Sequence, residues 1–359
     1  MDRRRARSAA ALCAGIMVAA CGESSDYLGP RALPACDLET SLLATSVPAD
    51  AIPSLLQPAM ATIGNPGADY LDEDRVLGVV IDGKPRAYPH NILWHHEIVS
   101  DRIDGRDIAA TFCPLTGSGL VFDPRVGDET LDVGVSGLLF ANNLVLYDRT
   151  SGDVYGPQLT IGGRCSRFRG VELTRLPVME TSWGRWRRLF PNTTVVSSDT
   201  GFDRNYRASP YRGYDEPNND DLLFPMPVDD SRPLKERVLV VGDGASAVGY
   251  PFGVLESALG ERGTLQMLVA GEPRVVFWEA DQGATAVAFR AEVDGQRLTF
   301  AAEPDGTWTD AETGSRWTLD GRAIAGPLTR SSLEIREEAF VAFWFAFRHF
   351  RPDASVWDG

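Results

Sequence analysis

The chain has 359 residues, 43% apolar and 24% charged, with 35 Lys and Arg against 50 Asp and Glu, a formal net charge of −15 at pH 7. That acidity argues against nucleic acid or anionic lipid as a charge-recognised partner, because both reward cationic surface. The apolar share is that of a globular chain, long enough for one large domain or two smaller ones.

Residues 1–21, MDRRRARSAAALCAGIMVAAC, set Arg3, Arg4, Arg5 and Arg7 ahead of an apolar run from Ala9 to Ala20. The run is shorter than the roughly 20 residues a membrane span needs and reads as a secretory signal. Val18-Ala19-Ala20-Cys21 resembles the lipobox of bacterial lipoproteins. That resemblance implies lipid on Cys21, a membrane anchor and an extracytoplasmic location, periplasmic or at the cell surface; an ordinary cleaved signal is the alternative. Residues 22–75 then form a polar tether and lead-in. The mature chain keeps Cys36, Cys113 and Cys165, an odd number that leaves one thiol over if two pair. Cys36 ahead of the domain and Cys165 in a Gly-rich loop are the expected disulfide, with Cys113 free.

From residue 76 the pattern is mostly strand. The β-branched run 76–81, the turn Asp82-Gly83-Lys84-Pro85 and residues 86–88 read as a hairpin, and short strands follow at 108–112, 119–122, 131–135 and 144–147. Two stretches read as helix: 91–99 after Pro89, and 182–189, where Trp183, Trp186, Leu189 and Phe190 fall at helical spacing. Phe340, Trp344, Phe347 and Phe350 repeat that aromatic face, a core feature.

The chain matches itself. "VLGVVIDGKPRAYPHNIL" from Val76 aligns without a gap on "VLVVGDGASAVGYPFGVL" from Val238, Gly152 falls on Gly314, and Trp183, Trp186 and Pro191 fall on Trp344, Phe347 and Pro352. The expected architecture is mainly β with a few short helices (α+β), an internally duplicated β-rich unit with its two copies packed together. Copy one covers 76–196 and copy two 238–357, joined by an inter-copy segment, 197–237. Tyr206, Tyr211, Tyr214, Phe202 and Phe224 make that segment too aromatic for a disordered linker. Arg204, Tyr206, Arg207 and Arg212 could line a polar groove or stack Arg on Tyr. Its "NNDD" and "VDD" runs lack the D-x-[DN]-x-[DN]-G frame of a calcium loop.

Positions alike in both copies, such as Tyr88-Pro89 with Tyr250-Pro251 and Phe122 with Phe289, serve a shared fold. Three of the four histidines, His90, His95 and His96, lie within seven positions, and Phe252, Ser257 and Ala258 stand opposite them. Cys113 falls near Trp278 when "ATFC" is laid on "VVFW". Any chemistry therefore belongs to copy one.

"RAYPHNILWHHEIVSD", "FCPLTGSGLVFD", "GVSGLLFANNLVLYDRTSGDVYG" and "RNYRASPYRGYD" resemble an uncharacterised prokaryotic family, domain of unknown function family 3179, over essentially all the chain after Asp72. The resemblance implies a Cys-Pro-Leu-Cys-Gly-Ser or Cys-Pro-Leu-Thr-Gly-Ser segment and no activity. Here Thr116 takes the place of a second cysteine, so dithiol cycling by this segment is not expected. The leading expectation is a transition metal, copper first and zinc second, held by Cys113 with His95, His96 or His90, or Glu97, because soft sulfur and imidazole favour those ions. Adjacent His95 and His96 point about 100° apart on a helix, so at most one faces Cys113. A second reading is a Cys-dependent enzyme with Cys113 as nucleophile, a histidine as base and the Gly117 and Ser118 N–H groups as an anion cradle, although Pro114 lacks the N–H beside the nucleophile. A third is a non-catalytic ligand-binding or assembly module, with His95 and His96 bonded to nearby carbonyls and Cys113 a small buried apolar residue.

Overall fold

A computed structural model describes residues 36–280 and 283–359; the signal segment and Cys21 lie outside the described residues. The protein is mainly β, 41% strand and 13% helical. The expected hairpin forms where Asp82 and Gly83, at φ 49° and 76°, join strands Arg75–Ile81 and Lys84–Pro89 by a two-residue turn. Met179–Ser182 pairs with the outer side of the first strand, and Thr194–Val196 runs parallel to the second. Phe340–Phe343, Arg237–Val241, Val248–Pro251 and Ser355–Val356 make a sheet of the same order in the second half. Val76 faces Pro89 and Leu77 faces Tyr88, just as Val238 faces Pro251 and Leu239 faces Tyr250.

Each sheet is plugged by an aromatic helix. The helices α1 (His90–His96), α2 (Trp183–Leu189), α3 (Phe252–Leu259) and α4 (Trp344–Phe350) each follow directly on a strand. Ser182 starts α2 by accepting the Arg185 N–H at 3.3 Å. The Trp186 ring then lies on Gly78, where a Cβ would come within 2.2 Å of it, and Phe347 lies on Gly249, where a Cβ would come within 2.4 Å. Gly78 pairs with Ala87 and Gly249 with Val240, so the glycine has changed strands while the hollow beneath the aromatic ring is kept.

The expected first helix is shorter than its apolar pattern. It ends at His96 because Glu97 turns to φ 56° and ψ −34° while its N–H bonds Leu93 O at 2.8 Å, and residues 98–99 open the strand Ile98–Ile103 instead. Its hairpin partner is Arg106–Cys113, followed across the Pro114–Gly117 turn by Ser118–Asp123. In the second half Arg262–Val269, Glu272–Glu279 and Thr285–Arg290 make the corresponding three-stranded sheet. Both middle strands are eight residues long. Counted from their turns, Cys113 stands at Glu279 and Phe112 at Trp278, one position from the sequence alignment. Glu279 is ion-paired to Arg185 at 3.0 Å.

The halves share their cores. One apolar cluster joins Leu77, Tyr88 and Phe112 to Phe277, Trp308 and Trp317; another joins Cys113, Leu115 and Phe122 to Phe343, Trp344 and Phe347. The Phe343 N–H donates to Thr116 O at 2.9 Å, and Gly117, at φ 58°, leaves room for the Phe343 ring that a Cβ would approach to 2.6 Å. Gly117→Ala is expected to destabilise by about 2 kcal/mol through positive-φ strain and overpacking, read as a lower urea midpoint at unchanged slope. Cys36 and Cys165 form a disulfide, and Cys113 is the free cysteine among the described residues.

Candidate functional site

Cys113 ends its strand at 1% exposure. Its Sγ accepts the Leu144 N–H at 3.3 Å and donates to Asn142 O at 3.4 Å. Thr116, where a second cysteine could stand, is tied into a buried polar network: Asn143 donates to its hydroxyl at 3.0 Å, Ser118 meets it at 2.9 Å and donates to Gln158 at 2.8 Å, and Gln158 donates to Thr111 at 2.7 Å. The network holds the turn rigid. It also disposes of the expected anion cradle, because Ser118 is ladder-paired opposite Cys113 and Gly117 is packed under Phe343.

Glu97 is the acid of the site. The positive-φ turn that ends α1 leaves its carboxyl buried and within electrostatic reach of Cys113, and its backbone oxygen takes the Phe112 N–H at 2.8 Å. Burial pushes this carboxyl up to about 7, against a hydrogen bond from the Tyr211 hydroxyl at 3.5 Å. Burial first, and then the charge of Glu97, raises the Cys113 thiol, while Thr116 and the Leu144 N–H pull the other way. The 197–236 segment is ordered and covers the site, with Tyr211 and Tyr214 both within electrostatic reach of Cys113. Lys235 sits 4.0 Å above the Tyr214 ring, donates to Asp221 O at 2.6 Å, and is lowered by burial to about 8. The cation on a strap tyrosine is thus Lys235, a residue the sequence did not single out, while Arg207 pairs with Asp69. The "NNDD" backbone receives that ammonium.

The histidines do not join Cys113. His96 donates from Nδ1 to Pro53 O at 2.6 Å and accepts the Tyr206 hydroxyl at Nε2 at 2.6 Å; burial drops it to about 4, so it is neutral and satisfied. His95 bonds Ala208 O at 3.2 Å. His90 stacks on Phe112, ring centroids 4.2 Å apart, and successive strand residues face opposite sides of a sheet, so His90 and Cys113 are separated by the sheet itself. Among the described residues no three His, Cys, Asp or Glu side chains are grouped to hold a metal ion. The set expected for copper or zinc, Cys113 with His90, His95 and His96, is therefore dispersed: strand parity removes His90, and backbone carbonyls claim His95 and His96.

Fold and site together define a mainly β protein of two interlocked halves, with a buried thiol and carboxyl in the first. The chain belongs to the family described as protein of unknown function, DUF3179, whose family model matches residues 49–354. No curated protein matches the chain, and no solved structure does.

Proposed function

We propose that the protein is exported and lipid-anchored at Cys21, and that Cys113 with Glu97 performs cysteine-dependent chemistry on a small electrophile admitted when the 197–236 strap moves. Export is supported by the signal-like N-terminus and by the Cys36–Cys165 disulfide, a bond that persists in oxidising compartments. The observation that carries the chemistry is that Glu97 and Cys113 are buried together, with the charge of the carboxyl reaching a sulfur that already accepts the Leu144 N–H. A base poised near pH 7 takes a proton efficiently. Glu97 accepts the thiol proton, the Leu144 N–H holds the thiolate, and sulfur adds to the electrophilic carbon, whose displaced electron pair takes the proton back from Glu97. Glu97 takes the place expected for a histidine.

Alkylation of the intact, untagged protein by iodoacetamide, read as mass added at Cys113, tests the pairing. Glu97→Gln is expected to slow labelling at pH 8 at least tenfold. If Glu97→Gln labels as fast as or faster than wild type, Glu97 is only a repelling charge and the reading is overturned. Copper or zinc binding is the second reading, resting on the Cys113 sulfur as a soft donor. Stoichiometric copper or zinc that is lost in Cys113→Ser would replace the enzymatic reading with it.

A further inference from the structure

His90 has no role in the thiol site, yet it is the most anomalous polar side chain near it. It is 0% exposed, and neither ring nitrogen has a hydrogen-bond partner among the described residues. A neutral imidazole carries one N–H and one lone pair, and leaving a buried donor unmet costs about 1–3 kcal/mol. The ring is wedged on Phe112 and cannot turn to water.

Its surroundings are cationic. Arg75 precedes Val76, the partner of Pro89, so continuing the hairpin register sets Arg75 beside His90. The same step in the second half sets Arg237 beside Phe252, and there the guanidinium lies 4.3 Å over the Phe252 ring. The two corresponding arginines converge on one carboxylate: Arg75 reaches Glu180 Oε1 at 3.3 Å and Arg237 reaches the same oxygen at 2.9 Å. Both also act electrostatically on His90. Among the described residues the two cations share the Glu180 carboxylate, Arg237 also donates to Gly283 O at 2.6 Å, and Asp215 of the strap, 39% exposed, lies 3.9 Å from Arg75. The second half closes this corner with an apolar ring; the first presents an unmet N–H beside two arginines whose second described carboxylate, Asp215, is the more exposed and the more distant one.

We propose that the seam between the halves is a binding site for a small oxyanion, a carboxylate or a phosphate, received by His90 and by Arg75 and Arg237. One ligand oxygen accepts the imidazole N–H, and the ligand charge completes the neutralisation of the two guanidinium groups. Asp215 is the strap's own stand-in, displaced when the ligand enters. This site lies across the sheet from Cys113 and does not depend on its chemistry.

Calorimetric titration of the intact protein with inorganic phosphate and, separately, with acetate tests the site, alongside the His90 ring-nitrogen resonances. Wild type is expected to bind one of the two at one equivalent and to shift the His90 resonances. Phosphate alone marks a tetrahedral ligand, acetate alone a carboxylate. His90→Phe copies the second half's own solution, so it folds, and it is expected to bind at least tenfold more weakly. Asp215→Asn removes the competitor and should bind several-fold more tightly. The proposal is overturned if neither anion binds or moves the His90 resonances, or if His90→Phe binds as wild type does.

Discussion

Reduction of Cys36–Cys165 is expected to remove about 4 kcal/mol of stability. The bond closes a loop with a sequence separation of 129 residues. Chain-entropy arithmetic gives about 5 kcal/mol for a loop of that length, and measured values usually fall somewhat short of it. Other contacts also dock the lead-in, among them the Arg149–Asp50 ion pair at 3.0 Å and the Asp50 N–H on Val135 O at 2.8 Å. Asp37 N–H donates to Arg164 O at 2.8 Å, and Leu43–Thr45 pairs with the edge of Val133–Phe140. Cys165 itself is fully buried among Leu138, Val145 and Val154, so Cys165→Ala adds a small cavity to the lost cross-link, whereas Cys36→Ala does not. Both variants, and wild type with reductant, should unfold at clearly lower urea, Cys165→Ala lowest. An unchanged midpoint in Cys36→Ala would mean that the unfolded chain gains no freedom from the cut.

What the sequence disclosed was what local chemistry dictates. The Asp82-Gly83 hairpin and the aromatic faces of α2 and α4 rest on turn residues and periodicity and lie where those signals point, except that Phe340, at helical spacing from Trp344, falls on the strand before α4. The end of α1 was not legible, because residues 97–99 continue the apolar spacing and only a positive φ at Glu97, which no Gly or Asn announces, breaks the helix. The proposed ligand set was illegible for a different reason. Nearness in sequence brought His90, His95, His96 and Cys113 together on paper, but the parity of Phe112 and Cys113 sends His90 to the other face. Comparing the two copies was informative nonetheless. It set apart His90, His95, His96, Glu97 and Cys113 as asymmetric, and of these His90 has the unmet donor and Glu97 the raised carboxyl.

Glu97→Gln is expected to stabilise the protein at pH 8 by up to about 3 kcal/mol and to change little at pH 4.5. The folded-state value, about 7, lies above the usual 4.5 because burial penalises the charge. Below 4.5 both folded and unfolded chains hold the proton and Glu97 detracts nothing. Between 4.5 and 7 the unfolded chain releases its proton while the folded one keeps it, so stability is lost as pH rises, and the loss is complete above 7. The difference of about 2.5 units corresponds to roughly 3 kcal/mol at 1.36 kcal/mol per unit. His96 works in the opposite sense. Its value falls from 6.5 to about 4, so its contribution is whole above 6.5 and is lost as pH drops toward 4. Wild-type stability should therefore peak inside that window, whereas Glu97→Gln should climb to pH 6.5 and then stay level. Thermal or urea unfolding from pH 4.5 to 8.5, taken as variant minus wild type, cancels every other titrating group and leaves the Glu97 curve alone. A difference that stays flat across neutrality would mean that Glu97 is ionised in the folded protein, and the thiol would then have a permanent anion beside it where a proton acceptor near neutrality is proposed.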